Sequence, residues 1–165
     1  MYQFAAIIDV LNTRIAGFVR WFVIAMALIQ FLSVIGRYVF GVNSIAANEA
    51  VLYLHATLFM LGAGYTLLVD RHVRIDVFYS NFSIKTKRYV ECFGHLFLLI
   101  PGMLALAWWS WPTVANAWAI LEGPINIGGI RAVFLMKSLI IVFCVLLILQ
   151  SIAILIRQVI EIKEK

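Results

Sequence analysis

The stretch NEAVLYLHATLFMLGAGYTLLVDRHVRIDVFYS, Asn48–Ser80, decides the fold. Between Glu49 and Asp70 lie twenty residues without a formal charge, and His55 is the only one that titrates near neutral pH. At roughly 1.5 Å per helical residue they reach about 30 Å, the thickness of a bilayer's hydrocarbon core. The run then passes, with no linker, into a segment carrying Arg71, His72, Arg74 and Asp76. It reads as a membrane helix handing over to a basic cytoplasmic turn, and the remaining chain is oriented from that junction.

The composition agrees. Of 165 residues, 64% are hydrophobic and only 13% charged, with a mean hydropathy of +1.01. A soluble domain of this length would cover its core with charge, whereas here four long apolar runs are separated by three short polar ones. The expectation is one all-α polytopic membrane domain. Its four transmembrane helices cover approximately 21–39, 49–69, 92–111 and 133–156, with short interfacial amphipathic helices between them. The net charge of +5 and pI near 9.5 do not point to nucleic acid, because the basic residues cluster beside apolar runs. Anionic lipid headgroups and membrane topology explain that placement. Cys92 and Cys144 lie inside apolar runs, so no disulfide framework is expected.

Residues 2–18 put Phe4, Ile7, Ile8, Leu11 and Ile15 at helical spacing, which suits an amphipathic helix at the interface; the other reading is a frayed start of the first span. That span holds Gln30 and Ser33, polar side chains that bond to a neighbouring helix or to their own backbone. Ser44-Ile45-Ala46 imitates a signal-peptide cleavage site, but the apolar region is too long for one and reads as a mature helix. Asn48 is expected to cap the second span, with Glu49 in its first turn at the positive end of the helix dipole. A sharper reading makes Glu49 a proton or cation carrier. Gly62, Gly64 and Thr66 form a small-residue surface for close helix packing, with Tyr65 beside it in a structural role.

In the polar segment, Lys85, Lys87 and Arg88 follow Arg71 and Arg74, and interspersed apolar residues indicate short interfacial helices, the second capped by Ser83. The acids from Asp70 to Asp76 are expected to pair locally with these arginines. Pro101 should kink the third span in the turn before it. Trp108, Trp109 and Trp111 mark an interface, and beyond Pro112 a helical extension leads into an irregular external loop. Lys137 is expected to snorkel to that same interface. With a cytoplasmic N-terminus, ten basic residues fall on the cytoplasmic side and three, Arg37, Arg131 and Lys137, on the other. The positive-inside rule then gives N-in and C-in.

Paired histidines on neighbouring helices can hold a b-type haem. His55 lies roughly 9 Å from one face and His95 roughly 6 Å from the other, which leaves about 15 Å between them in depth, far more than two axial ligands span. Each is expected to be a packing hydrogen bonder, and no cofactor is expected. No phosphate-cradling glycine motif, HExxH spacing or nucleophile elbow occurs, so no enzymatic or metal-binding chemistry is indicated.

The opening stretch carries more than a membrane signal. NEAVLYLHATLFMLGAGYTL with Glu49 near its start, then HVRIDVFY at His72–Asp76 and beyond, four spans, and a GGI turn leading to Lys137 together resemble the small (Q-type) membrane subunit of tripartite ATP-independent periplasmic (TRAP) transporters. The resemblance covers nearly the whole chain. It implies a scaffold in the bacterial inner membrane that pairs with a large membrane subunit. That subunit would carry out uptake of an organic-acid anion, driven by a sodium gradient, with a periplasmic binding protein delivering the substrate. Two other readings stay open: a membrane anchor of a redox enzyme, and a stand-alone multidrug exporter using Glu49. Glu49, Gly62, Gly64 and Tyr65 are the candidates for helix packing or subunit contact. Arg71, His72, Arg74, Asp76, Lys85, Lys87 and Arg88 are the candidates for membrane-interface and topology roles.

Overall fold

The computed structural model describes residues 2–70 and 83–163. These form α1 (Tyr2–Val19), α2 (Phe22–Val39), α3 (Ile45–Leu68), α4 (Ile84–Phe93), α5 (Ile100–Ala119) and α6 (Val133–Lys163). A π-helical turn, Gly94–Leu99, joins α4 to α5. The fold is all-helical among the described residues, and four helical stretches are long and apolar enough to cross a membrane: 2–39, 45–68, 86–119 and 133–160. His72, Arg74, Asp76 and Arg71 lie outside the described residues, as do the local ion pairs expected of them.

Helices α3 and α6 form the centre. Helix α3 packs against α1, α2 and α6, and α6 also packs against α1 and α5. The residues buried at these contacts are mostly small or polar: Ala5, Asn12, Gly64, Ala117, Cys144, Gln150, Ser151 and Ala153. Large side chains such as Phe31, Leu32, Trp108 and Trp109 face outward, and no residue of α2 is buried. This distribution suits a lipid surrounding. Hydrocarbon solvates leucine as well as a neighbouring helix does, so helices associate through close approach of small residues and through hydrogen bonds.

The helix boundaries revise one expectation and decide between the two readings of residues 2–18. Ser44, not Asn48, caps α3: its side chain accepts from the Ala47 N–H at 3.2 Å, which places Glu49 in the second turn, away from the dipole position expected of it. The serine that imitates a cleavage site is therefore a helix cap. At the amino end, α1 is a helix with its own buried face, made by Ala5, Ile8, Asn12 and Val19, and not a frayed start of α2. A tight turn at Arg20–Trp21 separates the two, with Trp21 N–H bonded to the Phe18 carbonyl at 3.3 Å.

Other local expectations hold. Ser83 caps α4 by accepting from Thr86 N–H at 3.2 Å. In the turn before Pro101, where a kink is expected, the helix takes a π-helical turn, Gly94–Leu99, which widens it where the proline ring would otherwise meet the Phe97 carbonyl. Helix α5 runs on through Pro112 to Ala119 before the loop at 120–132.

Candidate functional site

Two polar constellations lie at opposite ends of the bundle. The first fastens α1 to α6 and α3. Asp9 forms an ion pair with Arg157 and accepts from Gln150 Nε2 at 3.0 Å; Gln150 Oε1 in turn accepts from Asn12 Nδ2 at 2.7 Å. The acid sets the direction of this chain. A carboxylate can only accept, so Gln150 must turn its amide nitrogen toward Asp9 and its oxygen toward Asn12. Asn12 therefore offers its nitrogen to Gln150 and directs Oδ1 at the backbone of Gly64. Asn12 and Gln150 are wholly buried, and Asn12 Oδ1 has no hydrogen-bond partner. It touches Gly64, where a Cβ would collide with Oδ1 and stand 2.9 Å from Cγ. Only glycine lets the helices meet this closely.

The seam continues on the other flank of α6. His95, in the π-helical turn, is buried, and its Nδ1 lies 3.2 Å from Ser151 Oγ. Cys92 Sγ donates to Gln158 Oε1 at 2.9 Å while Gln158 Nε2 donates to Glu91. Gln150, Arg157 and Ser151, Gln158 are spaced seven residues apart, so each pair returns to one face two turns along the helix. One set of α6 polar groups thus serves α1 and the other serves the α4–π turn.

At the far end, Glu49 accepts from the Ile130 N–H at 2.6 Å, and Tyr53 Oη donates to the Ile130 carbonyl at 3.4 Å. Gly129 lies so close that a Cβ there would stand 2.5 Å from both Glu49 carboxylate oxygens. Lys137 pairs with Glu122 at 2.5 Å. Trp118 Nε1 donates to Ser138 Oγ at 2.7 Å, and that hydroxyl donates on to the Phe134 carbonyl at 2.8 Å. These contacts clasp the 120–132 loop over the start of α3 and α6. Glu49 is thereby committed to a backbone amide, which is a fastening role.

The other sequence candidates fall as follows. Gly64 packs tightly, whereas Gly62 has open space where a Cβ would stand, so among the described residues the expected close packing at Gly62 does not occur. Gly62, Tyr65 and Thr66 instead line a groove beside α1, and Thr66 donates to the Gly62 carbonyl at 3.1 Å. His95 is a packing hydrogen bonder as expected; His55 faces the same groove and has no partner among the described residues. Ser33 bonds to its own backbone at Ile29. Lys85 lies in the first turn of α4, and Lys87 and Arg88 are half-buried on it. The sequence reading did not single out Asp9, Asn12, Gln150, Ser151 or Arg157. A signal was available for the α6 group, since Gln150-Ser151 interrupts the most apolar run in the chain.

Fold and site together define a multi-pass α-helical membrane protein whose buried polar groups tie its own helices to one another. The chain belongs to a family of transport components: the family model for tripartite ATP-independent periplasmic transporters, DctQ component, matches residues 26–161. That family comprises the small permease subunit of TRAP transporters, so the chain is a transport component and the sequence resemblance is borne out. No curated protein and no solved structure matches the chain.

Proposed function

We propose that this chain is a non-transporting scaffold of a TRAP system in the bacterial inner membrane, with both termini cytoplasmic. It pairs there with a large membrane subunit that takes up an organic-acid anion, driven by a sodium gradient, after delivery by a periplasmic binding protein. One observation carries the scaffold reading: the polar groups buried within its apolar helices are engaged with each other, His55 lining the open groove instead. Among the described residues, Asn12 Oδ1 is the sole buried side-chain polar atom without a partner, and it is closed off by Gly64. Secondary transporters bind substrate and ion at discontinuous helices with free backbone groups near the bilayer midplane. Among the described residues, the π-helical turn Gly94–Leu99 stays within a continuous helical stretch, and at the Arg20–Trp21 turn inside 2–39 both backbone N–H groups are bonded, to the Ala16 and Phe18 carbonyls. Glu49, the acid on which a self-sufficient exporter would depend, already accepts a backbone N–H.

The test is reconstitution. The chain expressed alone is expected to give no sodium-dependent uptake in liposomes. Co-expressed with a large TRAP membrane subunit, it should purify as a complex in a one-to-one ratio, and that complex should support uptake when the binding protein is added. Sodium-driven uptake by the chain alone would refute the proposal, and a haem spectrum in the purified protein would favour the redox-anchor reading instead.

A further inference from the structure

We propose that the groove between α1 and α3 is a binding site for an anionic phospholipid. In it the phosphate would meet Arg20 and an acyl chain would lie along α3 toward His55. The groove encloses about 780 Å³ and is bounded by α1, α3 and Phe143 of α6. This is within the range of specific small-molecule sites. Its floor is apolar, with Leu58, Phe59 and Ala63 on α3, and it is widened by glycine on both sides. Neither Gly17 nor Gly62 would bring a Cβ within 4 Å of any other group, so no described part of the chain fills the space.

The choice of occupant rests on charge and on the apolar lining. Arg20 lies at the α1–α2 turn, just before an apolar helix begins, and is exposed. No carboxylate pairs with it among the described residues, whereas Arg157 and Lys137 each have one. Its guanidinium stacks 5.6 Å from the centroid of the Trp21 ring. A stacked guanidinium keeps its edge donors for a planar or tetrahedral oxyanion, and an indole beside it belongs at headgroup level. Between Gly62 and His55 the groove follows α3 for roughly 10 Å within the apolar span. A cation at the α1–α2 turn and an apolar trough beside α3 match the two halves of a phospholipid. The inference does not depend on the scaffold assignment, because it concerns lipid and not transport.

The experiment uses the full chain purified in mild detergent. Native mass spectrometry would compare retention of dioleoyl phosphatidylglycerol and dioleoyl phosphatidylcholine. A phosphatidylglycerol carrying a mid-chain diazirine would then map the contact by peptide analysis, for the chain and for its complex with the large subunit. We expect about a fivefold preference for phosphatidylglycerol, the worth of one basic residue near anionic lipid. Arg20→Gln should abolish it, while Arg20→Lys and Arg14→Gln should keep it. Gly62→Phe, which fills the trough, should cut labelling of Leu58–Ala63 about tenfold without reducing labelling of α5. The proposal is overturned by equal retention of the two lipids, by a preference that survives Arg20→Gln, or by one lost equally in Arg14→Gln, which would mean diffuse surface charge. Labelling of Leu58–Ala63 that vanishes in the complex would also overturn it, since a protein helix would then be the occupant.

Discussion

Replacing Gly64 by alanine should loosen the N-terminal helix, although the same replacement at Gly62, two residues earlier, should be harmless. At Gly64 the new methyl group meets the Asn12 amide, which cannot retreat cheaply because it is wholly buried and held by Gln150 at 2.7 Å. Overpacking of this kind costs about 1–3 kcal/mol. If Asn12 swings away, Gln150 Oε1 loses its donor, a further penalty of about 1–3 kcal/mol. Against this, alanine is a better helix former than glycine by roughly 0.5–1 kcal/mol. The collision prevails, and the net destabilisation should be about 2 kcal/mol, or roughly 4–8 °C in melting temperature for a chain of this size. At Gly62 only the propensity term remains, so Gly62→Ala should melt at the wild-type temperature or slightly above. The assay is thermal unfolding of the purified full chain in one detergent, with proteolysis at α1 followed in parallel. Pairing Gly64→Ala with Asn12→Ala closes a double-mutant cycle, which should show a coupling of about 1 kcal/mol or more. A Gly64→Ala protein as stable as wild type would refute the contact and, with it, the account of how α1 is held.

Three further outcomes follow from the same geometry. Asp9→Ala leaves Arg157 and Gln150 Nε2 without their acceptor and should cost about 1–3 kcal/mol; earlier proteolytic release of α1 than in wild type is the measurable sign, and unchanged protection would contradict it. Glu49→Gln keeps an oxygen for the Ile130 N–H and should lower melting only slightly and leave uptake by the assembled complex near wild type; loss of uptake with normal assembly would make Glu49 an ion carrier. Orientation is checked by cysteine labelling, in which Asn126→Cys should react in intact spheroplasts and Ser80→Cys only after permeabilisation. The reverse pattern would invert the topology drawn from the ten-to-three distribution of basic residues.

The sequence by itself determined the class of protein, the number of spans and the family, because each depends on local or one-dimensional properties. Run length against bilayer thickness fixes where a helix can cross, and the His72–Asp76 pattern after the second span is read directly from residue order. Local chemistry was legible too: Ser83 as a cap involves residues only a turn apart. What the tertiary structure decided is which polar groups meet. Asp9 and Arg157 are separated by 148 positions and Glu49 and Ile130 by 81, and no periodicity encodes such partners. The same limit explains the glycines. Gly62 and Gly64 look alike in sequence, yet Gly64 alone stands against Asn12, because the crossing of α1 over α3 selects one position for close approach and leaves the other facing an open groove.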